Sequence, residues 1–312
     1  MQYKIHTSYR NFFKVEKVKP DGERILLADW FENTMLNQGL DLIGTGSLNV
    51  FSGLAVGSGT TASDVTDTTL ETLVAVVTSN EPLHTVHTYR TSAPYYVETL
   101  QRHRFDPEEA TGNIREMGLY DSLGGVISTR TLIKNTGGTP ITLVIADEDA
   151  LEITSKLRMY RDHCDSDGSG NFTIVTEPGE PGESEQVHAY TMRMLSIGAS
   201  YGKPGPMKSS DSSCIGLEGA GLVGLTDTNM TKTASDTFTT RSLGPYIPGT
   251  FTRDLRFTAE LDDGNFTGGI DGFQLRAEAM GSIQVVFTPA IMKTAVQILK
   301  VSFRYSWGQY TP

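Results

Sequence analysis

Six histidines, two cysteines and several turns rich in acid or glycine are the parts of this 312-residue sequence from which chemistry could be built. The run DSDGSGN at 165–171 has the carboxylate and glycine content of a calcium loop. An EF-hand needs oxygen ligands at loop positions 1, 3 and 5, glycine at 6 and a bidentate Glu at 12. With Gly168 in sixth place, His163 falls first and Ile174 twelfth, so the pattern fails at both ends and reads as a solvated linker. The stretch VGSGTT at 56–61 has the glycine content of a phosphate-cradling loop. A Walker loop, however, needs Lys before its Ser/Thr, and a dinucleotide fingerprint needs a third Gly that opens a helix. Neither is present, and the stretch reads as a glycine-supported turn whose hydroxyls satisfy nearby backbone groups.

The histidines are His6, His84, His87, His103, His163 and His188, and none stands in an HExxH or His-Cys ligand spacing. His84 and His87 lie three apart, and TVHTY around them reads as strand, where that separation points them to opposite faces. No GxSxG elbow occurs, and the carboxylates are too scattered to nominate an acid/base pair. The sequence therefore nominates no catalytic, metal or cofactor-binding residue, names no binding residue, and leads to the expectation of a non-enzymatic protein. Tyr95, Tyr96, Tyr246 and Trp307 offer flat rings that suit a sugar face, or the ends of a sandwich core and subunit contacts. The second role is the commoner one. Cys164 and Cys214 allow one disulfide or two free thiols; free thiols are favoured, consistent with assembly in a reducing compartment.

Whatever these residues do, short strands must position them. Glycine is frequent at 32 residues and only 20% of the chain is charged, a mixture that suits strands joined by tight turns. The balance of 26 Lys+Arg against 37 Asp+Glu, a net charge of −11, argues against nucleic acid or an anionic membrane as the main partner. No apolar run approaches a membrane span, and MQYKIHTSYRNFF has no signal-peptide core, so a soluble chain without membrane insertion is expected.

The order of elements points to a tandem repeat. NFFKVEKVKPDGE at 11–23 is echoed by NFTIVTEPGEPGE at 171–183. After the first comes RILLADWFENTMLNQGLDLI, where Asp29 as N-cap and Trp30, Phe31, Leu36, Leu40 and Ile43 predict a helix. After the second comes SEQVHAYTMRMLSIGASYG, with Tyr190, Met194 and Leu195 on a similar face. Further on, Arg104-Phe105 and Arg256-Phe257 each precede a polar loop and a Gly-X-Ile start at Ile114 and Ile270, which reads as an antiparallel hairpin in both copies. Each copy closes on a strand, a turn and an alternating strand, with Val296, Ile298, Val301, Phe303 and Tyr305 as the last core positions and a bulge between 298 and 301. The expected fold is mostly β: two tandem, homologous β-sandwich-like domains, each with a short helix near its start. They span residues 1–160 and 171–312, with 161–170 as linker.

The strings FSGLAVGSGTTASDVTDTTLETLVA, GNIREMGLYDSLGGVISTRTLI and TPITLVIADEDALEITSKLRMY, with the closing FTPAIMKTAVQILKVSFRYSWGQ, resemble structural proteins of the tail, baseplate or fibre region of tailed bacteriophages. The resemblance covers roughly residues 30–160 and 250–310 and implies a virion protein made in the host cytoplasm, without cofactor or catalytic residues, acting with other phage tail proteins. Sustained heptads and short periodic strands are lacking, which argues for a compact baseplate, collar or fibre-attachment component over a fibre shaft. A homo-oligomer is expected. Three chains in a ring would present six near-equivalent domains. The alternative is a receptor-binding module for a bacterial surface glycan or protein.

Overall fold

Apolar residues alternating at period two build almost the whole molecule. The computed structural model describes residues 2–46, 50–78, 86–90, 92–121, 125–161, 168–175, 185–195, 212–224, 227–277 and 281–311. The first half contains β1 (Gln2–Val18), β2 (Arg24–Met35), α1 (Asn37–Thr45), β3 (Gly53–Gly57), β4 (Leu73–Val77), β5 (Val86–Arg90), β6 (Tyr96–Phe105), β7 (Gly112–Ile114), β8 (Glu116–Tyr120), β9 (Thr129–Leu132), β10 (Leu143–Ile145) and β11 (Ala150–Arg161). The second contains β12 (Gly168–Val175), β13 (Glu185–Leu195), β14 (Ser212–Glu218), β15 (Ala234–Phe238), β16 (Thr240–Leu243), β17 (Thr252–Ala259), β18 (Ile270–Ala277), β19 (Gly281–Ile291) and β20 (Leu299–Gln309). No helix among these residues is long and apolar enough to cross a membrane.

The two halves pair their strands in the same order. In the first, β1-β2-β9-β8-β3-β4 run side by side and β5-β6-β11 form a three-stranded meander. In the second, β12-β13-β19-β18-β14-β15 and β16-β17-β20 repeat this strand for strand, every neighbour antiparallel in both halves. The inward faces meet in one continuous core. Phe13 packs against Phe31 at 6.2 Å, and Phe257 against Phe303 at 6.2 Å, all within that cluster.

Main-chain pairing also joins the halves. One side of β1 is taken by β11 from Thr7 to Val18, and the other by β2 from Asn11 to Val18. That leaves the first stretch of β1 open on one side, and β20 fills it in parallel, from Gln2↔Ser302 to Tyr9↔Gln309. The seam is sealed by α1. Trp307 Nε1 donates to the Leu40 carbonyl at 2.8 Å, Arg253 Nη1 to the Gly44 carbonyl at 2.5 Å, and Tyr246 Oη to Asp41. A Cβ on Gly44 would lie 2.5 Å from the Tyr246 ring and 2.7 Å from Trp307, so only glycine permits this approach.

Several sequence expectations need correcting. The first helix begins at Asn37 rather than Asp29: Phe31, Asn33 and Met35 point inward while Trp30 and Glu32 point out, and Phe31 sits opposite Phe13 on β1, so strand pairing overrides helical spacing. The segment 185–195, expected to be helical, is strand β13, with His188, Met192 and Met194 buried; α1 is the one helix among the described residues. The segments around Phe105 and Phe257 are not hairpins. β6 pairs with β5 and β11, and β17 with β16 and β20, so the polar loops carry the chain from one sheet to the other. Val296 is 85% exposed in the turn where Gln297 N–H meets the Thr294 carbonyl; the phase change before Val301 is that turn, not a bulge. The linker is shorter than 161–170, because Arg161 ends β11 and Gly168–Gly170 already pair with β13; Asp165 and the rest of 162–167 lie outside the described residues, as does EPGEPGE.

Candidate functional site

The glycine-rich turn at Val56–Thr61 is where an anion would be expected, and its backbone donors are already occupied. Glu116, fully buried on β8, accepts the Gly59 N–H at 3.1 Å and the Thr72 N–H at 2.8 Å with Oε1, and the Glu71 N–H at 3.2 Å with Oε2. Glu71 in turn accepts the N–H groups of Thr60 and Thr61 at 2.7 Å each. The Thr61 and Thr60 amides hold its carboxyl below the usual range. Arg130, buried on β9, offsets part of this negative charge, with Nε 2.9 Å from Glu116 and Nη1 2.5 Å from Asp67, while Nη2 donates to the Thr61 carbonyl at 3.0 Å. A Cβ at Gly59 would lie 2.4 Å from the Glu116 carboxylate. The loop is thus an anion nest filled by the protein's own carboxylates. The expectation of a turn stands, but backbone amides and carboxylates satisfy it rather than Ser and Thr hydroxyls.

The second half holds the corresponding loop, between β14 and β15, with one carboxylate and two neutral amides: Asp271 accepts the Gly219 and Ala220 N–H groups at 3.1 and 2.8 Å. Gln274 and Gln284 are buried and directly opposed on β18 and β19. Gln274 accepts from Met230 N–H at 3.2 Å and donates to the Thr228 carbonyl at 3.0 Å; Gln284 accepts from Val223 N–H at 2.8 Å. Both loops contain one and the same reciprocal turn. Asp64 N–H donates to Asp67 Oδ2 at 2.9 Å and Asp67 N–H to the Asp64 carbonyl at 3.0 Å; Gly224 and Asp227 do likewise at 2.7 and 3.1 Å. The signal was available in the sequence, in VTDTTL at 65–70 and LTDTNM at 225–230. A second matched turn follows β6 and β17, closed by Asp106 with Glu109 and by Glu260 with Asp263. It aligns Phe105 with Ala259, two residues from the Phe257 that sequence pairing chose.

The remaining candidates are dispersed. His6 on β1 bonds Ser306 Oγ at 2.8 Å, His188 on β13 bonds the Pro289 carbonyl at 2.5 Å, and His103 on β6 is fully buried with neither ring nitrogen partnered among the described residues. His84, His163 and Cys164 lie outside the described residues, and of His87 only the backbone is described, on β5. Cys214 is a free, buried thiol whose pKa burial raises well above the ordinary range. Among the described residues no three His, Cys, Asp or Glu side chains gather as a metal site would require. A surface hollow of about 230 Å3 near Gly244, Ile247 and Arg253 is walled by Arg304 and Asp254, which bind each other at 2.7 and 2.8 Å.

The four aromatic candidates separate into two groups. Trp307 and Tyr246 belong to the seam with α1, and Tyr95 packs on the core. Tyr96 instead lies half-exposed on the outward face of β6, edge-on to Tyr160 at 5.3 Å and 4.6 Å beneath the Arg158 guanidinium. That face, shared with β1, β2 and β11, and the edge of β4 are the chemically distinctive surfaces. β4 reads Leu-Val-Ala-Val-Val and is paired only with β3 among the described strands, with Leu73 58% exposed and Val74 and Val76 exposed beside it.

No protein-family model, no curated protein and no solved structure matches the chain.

Proposed function

We propose that this chain is a non-enzymatic structural protein of a phage tail, a baseplate, collar or fibre-attachment component that works by protein–protein assembly. The observation that carries the assembly reading is the β4 edge: five consecutive apolar residues with one row of backbone donors and acceptors unpaired among the described strands. Proteins that act alone blunt such edges with charge, proline or a covering loop, because an exposed apolar edge is a template for another chain. Further support comes from the repeated strand order, which we read as a tandem duplication of one domain, and from the parallel β1–β20 pairing, which makes the two halves one rigid block. The tail assignment rests on the sequence resemblance. Mass spectrometry and cryo-electron microscopy of purified particles test it: density for this fold in the tail supports the reading, and particles without the chain refute it.

A receptor-binding module is the second reading, favoured by the exposed Trp30 and half-exposed Tyr96 rings on the β1–β2–β11–β6 face. A glycan array with the purified chain separates the two. Saturable binding lost on Trp30→Ala selects the receptor reading.

A further inference from the structure

We infer that the outward face of β2, β1, β11 and β6 is a contact surface for a second copy of this chain, and that it receives the acidic tip formed by the two turns that follow β6 and precede β11. The inference rests on the assembly reading above and adds to the β4 edge a second contact surface, between copies of the chain.

Three cations crowd one ring on this face. Arg10, Arg158 and Lys156 stand 4.9, 5.2 and 5.6 Å from the centroid of Phe12, and the Lys156 ammonium lies 3.8 Å from that of Trp30. Arg10 is directly opposite Arg158 across the β1–β11 pair, an arrangement that like-charge repulsion disfavours unless anions offset it. Each arginine has one carboxylate, and Lys156 is the cation left over among the described residues. Glu32 takes Arg10 at 2.6 and 2.8 Å, and Glu98 takes the Arg158 Nε at 2.7 Å. Lys156 has no carboxylate at ion-pair distance among the described residues, and burial pulls its pKa below the ordinary value. Arg, Trp and Tyr are enriched in protein–protein hot spots and Phe in interfaces, and here they stand partly exposed on a face whose far end, at Tyr160, is covered by the stacked ring of Tyr310 at 3.7 Å.

The complementary surface is on the same chain. Asp106, Glu108, Glu109, Asp147 and Glu148 are all exposed, and the Glu108 N–H ties the two turns together through the Asp147 carbonyl at 2.9 Å. Val144, on β10 just before the second turn, is 71% exposed, so the tip offers an apolar contact near its carboxylates, of which Asp106 is already taken by Arg104 at 2.9 Å. Glu108 is held at φ 70°, a left-handed conformation that disfavours a side chain, which fixes the shape of this tip at some cost. Within one molecule the two surfaces cannot meet. The tip adjoins the Phe105↔Leu151 pair, whereas Lys156 and Arg158 lie five to seven residues further along β11, roughly 17–23 Å away on a rigid strand. The tip that reaches the cationic face must therefore come from another copy. Used reciprocally, the contact closes a two-fold dimer; used one way, it builds a ring.

Charge exchange tests this on the full-length chain. Sedimentation and light scattering of the wild type should show an oligomer that loosens as salt rises from about 0.05 to 0.5 M, the range over which exposed charges become screened. Lys156→Glu with Arg158→Glu should weaken association at least tenfold, and so should Asp147→Lys with Glu148→Lys, a pair of exposed turn substitutions that leave the sheet intact. Mixing the two variants should restore association between them. A monomeric wild type, a tip variant that associates normally, or a folded pair that does not recover on mixing overturns the inference. Capture of alginate or of single-stranded DNA, lost in the face variant while the oligomer is unchanged, overturns it too by assigning the face to a polyanion. A chain present in the tail whose association ignores both variants sinks this contact alone, whereas one absent from particles that still obeys the exchange sinks only the tail reading.

Discussion

The indole Nε1 of Trp307, on the last strand, donates a 2.8 Å hydrogen bond to the carbonyl of Leu40, 267 residues earlier on α1. The bond crosses from one half of the chain to the other at a point where both partners are buried. Trp307→Phe keeps most of the ring and removes the donor, leaving a buried carbonyl short of a partner. A loss of about 1–2 kcal/mol is expected. Trp307→Ala also opens a cavity in the seam and should cost ~3–5 kcal/mol. Denaturant unfolding measures both, and equal stability of the two variants would contradict this account of the seam.

Glu116 and Arg130 should be far more sensitive than their surroundings suggest. Removing one member of a buried, hydrogen-bonded ion pair strands the other, at a cost of ~3–5 kcal/mol. Glu116→Ala and Arg130→Ala are each expected in that range, and the double variant at well under their sum, since neither charge is then left alone. Because the nest is already filled, millimolar phosphate should not raise the melting temperature of the wild type. A clear rise would show that Gly59, Thr60 and Thr61 accept an outside anion.

The sequence made β content legible because it is written in local pattern, alternation along a strand, and the pairing of Phe105 to Ile114 with Phe257 to Ile270 caught the recurring order of elements two residues out of register at its first position. All four of those residues are buried. Partners were not legible, because pairing is decided by residues far apart. Trp30 and Phe31 fit a helix as well as a strand until Phe13 claims the place opposite Phe31. The parallel join of Gln2–Tyr9 to Ser302–Gln309 left no local mark at all. The filled anion nest was half-visible: the glycines of 57–59 announced a tight loop, but its acceptors come from Glu71 and from Glu116, on another strand.

Tyr305 carries a buried hydroxyl with no hydrogen-bond partner among the described residues, beside the equally buried Cys214, and burial raises its pKa far above the ordinary value. An unpaired hydroxyl in an apolar core opposes folding, since water is lost and nothing replaces it. Tyr305→Phe is therefore expected to leave stability unchanged or raise it by about 1 kcal/mol. A loss of that size on thermal melting would mean that the hydroxyl has a partner.

His103 makes the fold sensitive to mild acid. Its side chain is 0% exposed on β6, neither ring nitrogen has a partner among the described residues, and burial pushes its pKa from 6.5 down to about 4. The unfolded chain takes up a proton near pH 6.5, whereas the folded chain refuses it until about pH 4, so between those values acid favours unfolding. The stability conferred by keeping this ring neutral is complete above pH 6.5 and is lost on descent through that window, by up to ~3 kcal/mol from a shift of about two and a half units. His103→Leu removes the titration and keeps an apolar filler at the site. Its stability relative to wild type should rise as pH falls from about 6.5 to about 4, then level off where the folded wild type also protonates His103; the carboxylates are shared by both proteins and cancel in the difference. A difference between the two that does not change with pH would place a hydrogen-bond partner on the ring.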